Sequence, residues 1–279
     1  MPPKLVKRTQ LLQGVSGQML KSRTILRPAI VNDFGYWSQA LSNYNPKKVL
    51  MCDFDNKYAL LTKPIVDKSP DRFGFFKMPS SKSFLHTDDL ITTLSLDPTL
   101  PPPDPNAVTS PIMVTGSLNR IASNNNLVFR MLIQSINRDG IFKYGRVIHN
   151  LIMPMEDWGI CDFKGMEKIK KHSLMILAEV AGTIKRIPID PKAEILNRPS
   201  FLFQFTPSET RNIQAPTNSF TRVLTILFTR SSEAWPEPAM RLENGDLIIS
   251  QVDIDPDKPV RQLTLKELDQ IAMAYDALL

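Results

Sequence analysis

The chain has 279 residues, of which 42% are apolar and 22% are charged, so it can bury a sizeable core and most of it should fold. Its two cysteines, Cys52 and Cys161, stand far apart without CxxC spacing, which excludes a disulfide scaffold. The sequence shows neither a secretory signal nor an apolar run long enough to span a membrane. We therefore expect a non-secreted protein with reduced thiols.

The net charge of +6 is concentrated at one end of the chain. Residues 1–50 hold eight basic residues against one acid, Asp33, which gives this segment +7. Such asymmetry is typical of proteins that contact nucleic acid or an anionic membrane surface, although a solvated terminus without a partner is the alternative. The residues expected to contact an anion are Lys4, Lys7, Arg8, Lys21, Arg23 and Arg27.

Taken in chain order, the first 95 residues predict an arm followed by a short helix and a strand. Residues 1–30 show no sustained period, which indicates a flexible basic arm. "NDFGYWSQAL" (32–41) opens with an Asx cap and predicts a helix, and "KKVLMCDFD" (47–55) predicts a strand. "RFGFFKMPSSKSF" (72–84) is interpreted as a loop held to the core by its phenylalanines. Residues 31–95 thus form an N-terminal helix/strand segment.

Residues 96–111 contain six prolines in sixteen positions, a composition found nowhere else in the chain. We interpret this segment as a stiff linker that joins residues 1–95 to a folded second half. The alternative is a docking peptide that binds a partner through a polyproline helix. Its prolines would be Pro101, Pro102, Pro103 and Pro105.

The segment 125–154 predicts a strand and then a helix. "NNLVFRMLIQSIN" (125–137) alternates apolar and polar residues, which favours a strand, and "NRDG" closes it with a turn. "KYGRVIHNLIM" (143–153) has apolar residues at helical spacing, and Pro154 should end that helix. "HSLMILAEVAGTIKRIPI" (172–189) is interpreted as a buried strand that bends at Gly182.

The last eighty residues predict two strands, a hairpin and a helix. "SFLFQFT" (200–206) alternates its phenylalanines inward, and "FTRVLTILFTR" (220–230) is apolar on both faces, as a central strand would be. "RLENGDLIISQVDI" (241–254) predicts a hairpin on Asn244-Gly245. A capping box from Thr264 to Glu267 opens a C-terminal helix. Residues 112–279 are therefore expected to form an α+β domain, with packed helices around an antiparallel β-sheet.

Motifs that would carry catalysis are weak. Asp53 and Asp55 end an apolar strand, as in the nucleophile loop of haloacid dehalogenase-type phosphatases, but Asn56-Lys57 departs from that family's small residues. His86, close to Asp88 and Asp89, lacks the paired ligands of a zinc site. No nucleotide-binding or hydrolase motif is present. The sequence therefore predicts no catalytic residue, no metal and no cofactor, and we expect a protein that is not an enzyme.

Two segments combine charge with aromatic or further basic residues. Residues 72–77 and 142–146 interleave phenylalanine or tyrosine with lysine and arginine. The rings could stack on the bases of a nucleic acid while the charges neutralise its phosphates, although core packing explains the same pattern. A second basic patch lies at residues 164–172 and extends the expected anion-binding set. Its members are Lys164, Lys168, Lys170 and Lys171.

From Leu127 onward the order of features resembles the matrix proteins of rhabdoviruses, in particular the plant-infecting, nucleorhabdovirus-like members. "VFRMLIQSIN" is similar to their first long strand, "KYGRVIHNLIMPMEDWG" to the helix after it, and "SLMILAEVAGTIKRIP" to the next strand. "RVLTILFTRSSEAWPEPA" resembles their late apolar strand. The resemblance covers about residues 110 to 240 and rests on pattern.

The resemblance implies a structural protein that self-associates and bridges the nucleocapsid to the inner face of the envelope during assembly and budding. Its expected partners are further copies of itself, the viral nucleoprotein, anionic lipid and RNA. It would lie beneath the envelope of the virion and in the host nucleus or cytoplasm. The alternatives are a plant-virus movement protein that binds single-stranded RNA and, third, a phosphatase-like enzyme.

Overall fold

The computed structural model describes residues 24–28, 46–53, 56–77, 88–98, 100–117, 124–154, 173–188 and 200–279. The helix expected over 32–41, the basic patch and every expected anion-binding residue except Arg27 lie outside these ranges. The chain divides into two compact units. The first comprises Met1–Trp158 and Thr183–Pro207, and the second comprises Gly159–Gly182 and Ser208–Leu279.

A seven-stranded sheet in the order β3-β2-β1-β4-β5-β7-β6 forms the centre of the first unit. Strand β1 is parallel to β2 and β4, β2 is parallel to β3, and β4 is parallel to β5, whereas β7 is antiparallel to β5. The strands are β1 (Thr24–Pro28), β2 (Lys48–Asp53), β3 (Phe73–Lys77), β4 (Ile112–Ser117), β5 (Ile148–Pro154), β6 (Gly182–Pro188) and β7 (Ser200–Pro207).

Helices connect several successive parallel strands of this sheet, because a parallel pair needs a long crossover connection. Helix α1 (Asn56–Lys68) joins β2 to β3, and α2 (Asp88–Ser95) joins β3 to β4. Helix α3 (Asn124–Asn137) and a 3-10 helix (Gly140–Tyr144) join β4 to β5. The expectation of a mixed α and β fold is confirmed. The expected antiparallel core is wrong, because four of the five strand pairs with a described register are parallel.

Strands β2, β4 and β5 are buried in their apolar parts, which explains their composition. Their residues 49–52, 112–114 and 151–153 are buried. Parallel strands covered on both faces need such continuous apolar runs. In strand β7 the predicted inward phenylalanines are confirmed, since Phe201, Phe203 and Phe205 are all fully buried.

Two elements of the first unit have the opposite secondary structure from the prediction. Residues 124–137 form a helix, because the buried side chains Val128, Met131, Leu132 and Ile136 follow helical spacing. Residues 148–154 form a strand instead of a helix, because consecutive side chains from His149 to Met153 are all buried, as in a central strand. Pro154 was expected to end that helix, and it is instead the last residue of strand β5.

Three further segments also differ from the predictions. Residues 73–77 form the edge strand β3 and are not a loop. The segment interpreted as one bent strand is helix α4 (Ser173–Ala181) followed by β6, and Gly182 marks the boundary. Residues 96–111 connect α2 to β4 within the first unit, whereas a linker between two halves was expected.

The expected flexible arm of residues 1–30 includes part of the sheet. Its residues Thr24–Pro28 form β1, which lies between β2 and β4. Arg27 is therefore a residue of a central strand and not of a mobile arm. Within the described residues, no helix has the length and apolar character needed to cross a membrane.

The second unit is helical in its described residues. Helix α8 (Leu265–Ala277) packs on α5 (Thr217–Leu227), and α7 (Gly245–Gln251) packs on α8 and on the short α6 (Pro236–Ala239). The central strand predicted over 220–230 is wrong: Phe220, Val223, Leu224 and Leu227 are buried at helical spacing.

Of the two local motifs in this unit, the predicted hairpin turn is wrong and the predicted helix start is confirmed. Asn244 has a left-handed conformation (φ 58°), but it precedes helix α7 and does not close a hairpin, so that prediction is wrong. Gly245 is required there because a Cβ would lie 2.4 Å from the carbonyl oxygen of Ala239. The capping box of α8 is confirmed, with reciprocal hydrogen bonds between Thr264 and Glu267.

Candidate functional site

The strand order of the sheet defines where a ligand would bind. From β1 the chain adds β2 and β3 on one side, and β4 and β5 on the other. In open sheets of parallel strands, ligands bind outside the carboxyl ends of the strands, at the point where the order reverses. That point lies between β1 and β4. We call the carboxyl ends of β1 to β5 the carboxyl edge, which is formed by Pro28, Asp53, Lys77, Ser117 and Pro154.

The registers place polar residues next to one another at the carboxyl edge. Asp53 lies opposite Lys77, and it follows Cys52, which pairs with Pro28 at the end of β1. Ser117 ends β4 on the other side of the switch point. A carboxylate that follows the second strand can accept hydrogen bonds from the two hydroxyl groups of a ribose. The edge therefore offers a carboxylate, an ammonium and a hydroxyl group.

Buried apolar residues lie beneath the carboxyl edge in β2 and β4. Met51 is fully buried, and Cys52 is buried as a thiol outside any disulfide. On the β4 side, Met113 and Val114 are equally buried. This packed interior fixes the positions of the two strands.

Residues that the sequence suggested for other chemistry do not form a site. His149 is fully buried in β5, where its ring lies 5.2 Å from that of Phe142 and 6.1 Å from that of Phe205. It is therefore a core residue. Asp88 and Asp89 begin α2, and His86 and Asp55 lie outside the described residues. Across the ranges that the structure describes, no three potential ligands come together to hold a metal.

The two aromatic and basic segments also separate in the structure. Phe142 and Tyr144 are buried in the 3-10 helix, which supports core packing for that segment. In β3, Phe73 is buried, while Phe75 and Phe76 are half-buried and alternate between the two faces of the sheet. They cannot stack successive bases on one surface. Only the exposed Lys77 extends this segment to the carboxyl edge.

Two ionisable groups of the first unit have shifted pKa values. Burial, followed by the negative charge of Asp97, raises the pKa of Tyr144. Burial and the nearby charge of Arg146 lower the pKa of Arg138. Both residues precede the amino end of β5, so neither shift marks the candidate site. The position of the site therefore rests on strand order and register.

Two solved structures have the same fold over nearly the whole chain. The chain is similar to the crystal structure of 23S rRNA methyltransferase ErmE, with a TM-score of 0.57, 10% identity and coverage of 96% of each chain. It is also similar to a dimethyladenosine transferase from Plasmodium falciparum, with a TM-score of 0.58 and 12% identity, over 97% of this chain and 94% of that one. No family model matches the sequence, and no curated protein matches it.

At 10 to 12% identity these similarities establish the fold, which is that of a methyltransferase. The resemblance to rhabdovirus matrix proteins is therefore wrong, and so are the functions in virion assembly and budding that it implied. The movement-protein and phosphatase alternatives are contradicted by the same finding. The expectation of a non-enzymatic protein is contradicted too, because this fold carries methyl-transfer enzymes.

S-adenosylmethionine is the methyl donor of such enzymes. Its nucleoside part fits the residues of the carboxyl edge. Asp53 occupies the position from which a carboxylate reaches a ribose. The sequence that follows β1 reads Ala-Ile-Val-Asn-Asp-Phe-Gly, so its first glycine is Gly35. Dinucleotide sites need glycines soon after this strand so that the backbone can approach a pyrophosphate. The sequence after β1 therefore disfavours a dinucleotide.

The sequence contained part of this site. Asp53 was identified as a carboxylate at a strand end, but its neighbour β1 was not recognised. Ser117 was missed altogether. One signal identifies Asp53 and Ser117 as site residues: each is a polar residue at the end of a mostly apolar strand, in a chain where strands and helices alternate.

Proposed function

We propose that the protein is an S-adenosylmethionine-dependent methyltransferase that acts on RNA. The observation that carries the proposal is an acidic residue at the end of β2, one strand from the switch point of a sheet in the order β3-β2-β1-β4-β5-β7-β6. The substrate class is supported by the similar structures, one described as an rRNA methyltransferase and the other as a dimethyladenosine transferase.

At the carboxyl edge, some residues would bind the cofactor and others the substrate. Asp53 would accept hydrogen bonds from the ribose hydroxyls and so fix the nucleoside. The bound cofactor supplies an electrophilic methyl group. Ser117, on the β4 side, would hydrogen-bond to the target. Holding the two reactants together in one orientation removes much of the entropic cost of their reaction.

The distribution of charge supports an RNA substrate and indicates which part of the chain binds it. Residues 208–279 hold seven basic and eleven acidic residues, a net charge of −4. The remaining residues, 1–207, therefore carry +10. Phosphate contacts come from lysine and arginine, and they dominate nonspecific affinity for nucleic acids. We therefore expect RNA to contact residues 1–207.

Transfer of tritium from methyl-labelled S-adenosylmethionine to unmodified ribosomal RNA transcripts tests the proposal. The wild-type protein should label RNA, and Asp53→Ala should reduce labelling by about a hundredfold, because charge-assisted hydrogen bonds to the ribose are lost. Asp71→Asn is the matched control, since Asp71 is exposed in the turn before β3. Absence of labelling by the wild-type protein, or equal labelling by both variants, would overturn the proposal.

A further inference from the structure

The proline-rich segment 96–111 is fixed to the first unit at both ends and exposed between them. At its start, the Asp97 carboxylate forms an ion pair with Lys48 at 2.6 Å, and the two side chains are only 10% and 22% exposed. The backbone N–H of Leu100 also donates to the carbonyl oxygen of Asp97. Partial burial strengthens such a pair relative to one on the open surface. This anchor ties the segment to strand β2.

A second anchor holds the other end of the segment. The carbonyl oxygen of Ala107 accepts a hydrogen bond from the N–H of Arg146 at 3.4 Å. Gly145 makes this approach possible: its φ is +87°, and a Cβ there would lie 2.7 Å from the same carbonyl oxygen. The Arg146 side chain in turn donates to the carbonyl oxygen of Pro207 at 2.9 Å. The segment is thus fixed to the residues preceding β5, and Arg146 links those residues to the end of β7.

Between the anchors, the chain displays a short rigid run of prolines. Residues 101–106 are all exposed. Proline fixes its own φ and forces the residue before it out of the helical region, so Pro101 to Pro103 favour a polyproline II conformation. A turn follows, in which the N–H of Ala107 donates to the Asp104 carbonyl oxygen and that of Asn106 donates to the Asp104 side chain.

Exposed apolar side chains flank these prolines. Leu96 is 75% exposed and Val108 is 66% exposed. Together with the rings of Pro101 to Pro103, they give the segment an apolar outer surface between two fixed ends. Apolar surface of this kind, when it is contiguous, marks protein interaction sites.

We propose that residues 96–111 are a docking segment for a partner domain with an aromatic-lined groove of the type that binds polyproline II helices. Such grooves bind a preformed, extended helix, which costs little conformational entropy to order. The two anchors lower that cost further because they hold the segment before the partner arrives. Asp104 is the exposed charge within the run, so the groove should carry a lysine or arginine at its rim.

The docking segment is separate from the candidate catalytic site. It enters the amino end of β4, at Ile112, whereas Asp53, Lys77 and Ser117 lie at the carboxyl ends of their strands. Parallel strands have these ends at opposite edges of the sheet. A partner bound to the segment would leave the carboxyl edge open. The inference therefore stands whether or not the protein transfers methyl groups.

Calorimetric titration of the full chain against three purified domains, an EVH1, a WW and an SH3 domain, tests the inference. We expect at least one domain to bind with micromolar affinity. The triple change Pro101→Ala, Pro102→Ala and Pro103→Ala should weaken that binding at least about tenfold. Pro256→Ala, at an exposed proline of the second unit, is the control and should bind like the wild type.

Two further variants test the charge of the segment and its anchor separately. Thermal melting checks that each variant remains folded. Asp104→Asn keeps the turn and removes the charge, so it should weaken binding and reduce its salt dependence. Asp97→Asn removes the ion pair with Lys48 and should weaken binding about threefold by loosening the segment. The inference is overturned if none of the three domains binds, or if the triple variant binds as well as the wild type. Unchanged affinity of Asp97→Asn would contradict the anchored display.

Discussion

The charged residues at the carboxyl edge and those of the second unit have different surroundings. In the first unit, Asp53 and Lys77 stand at the ends of strands whose preceding residues are mostly apolar. In the second unit, Asp269 and Glu267 accept hydrogen bonds from backbone N–H groups, and thereby hold the segment before α5 and the start of α8 in place. We propose that similar side chains serve ligand binding at the carboxyl edge and folding in the second unit. Substitutions at the carboxyl edge should therefore affect ligand binding, and substitutions of Asp269 or Glu267 should affect stability.

The largest expected effect on stability follows from Gly245→Ala in the second unit. The new Cβ would meet the backbone of Ala239 and Met240 at 2.4 and 2.7 Å, and neither can move without displacing α6. We expect a loss of about 3 kcal/mol in the free energy of unfolding, measured by chemical denaturation. Ser250→Ala, on the exposed side of α7, should cost almost nothing. Equal stability of the two variants would show that Gly245 is not tightly packed.

A smaller loss is expected for Asp269→Ala. The carboxylate of Asp269 accepts hydrogen bonds from the N–H groups of Gln214 and Ala215, at 2.8 and 3.0 Å. Their loss should cost about 2 kcal/mol in the free energy of unfolding, because both bonds are charge-assisted. The control is Asp253→Ala, at an exposed aspartate. If Asp269→Ala instead impaired cofactor binding at unchanged stability, the proposed difference between the units would be wrong.

A pH-dependent effect is expected at Glu267. Burial alone would raise the pKa of Glu267, but hydrogen bonds from Lys258 and Thr264, with the Lys258 charge, outweigh burial and lower it. Its contribution to stability is therefore present above the pKa of the unfolded chain and is lost as the pH falls through the lower folded pKa. Glu267→Gln should destabilise the protein by about 1 kcal/mol at neutral pH. Denaturation at acid pH should show a smaller difference, and an undiminished one would contradict this assignment.

The smallest effect is expected for Lys77→Ala in the first unit. The exposed Lys77 lies at the carboxyl edge, so its loss should leave stability unchanged and weaken RNA binding modestly. The slope of log affinity against log salt should fall by about one, as for the loss of one phosphate contact. Lys63→Ala, in α1, is the control, because Lys63 pairs with Asp67 on an exposed helix face. Filter binding over a series of salt concentrations distinguishes the two variants.

The elements that sequence predicted correctly carry an unambiguous local signal. The capping box of α8 satisfies N–H groups in a way that only a helix start requires. The phenylalanines of β7 alternate without interruption, and "VLMCD" is too short and too apolar for a surface helix. These three elements could be predicted because local sequence and tertiary position agree.

The elements that were wrong are apolar on most of their surface. In α3, Leu127, Phe129, Met131 and Ile133 alternate as in a strand, although the side chains that are buried repeat at helical spacing. Buried strands and buried helices cannot be distinguished by period when a run is short. Strand β1 was missed for a different reason: Arg27 was counted among the basic residues of an expected flexible arm. Its place in the sheet depends on pairing with β2 and β4, residues far away in sequence.

The central claim is that the carboxyl edge binds S-adenosylmethionine through Asp53. Isothermal titration of the purified full chain with S-adenosylmethionine tests it most directly. We expect saturable binding with one site, an affinity at least about thirtyfold lower for Asp53→Ala, and no change for Asp71→Asn. Absence of binding to the wild-type protein, or equal affinity of wild type and Asp53→Ala, would contradict the claim.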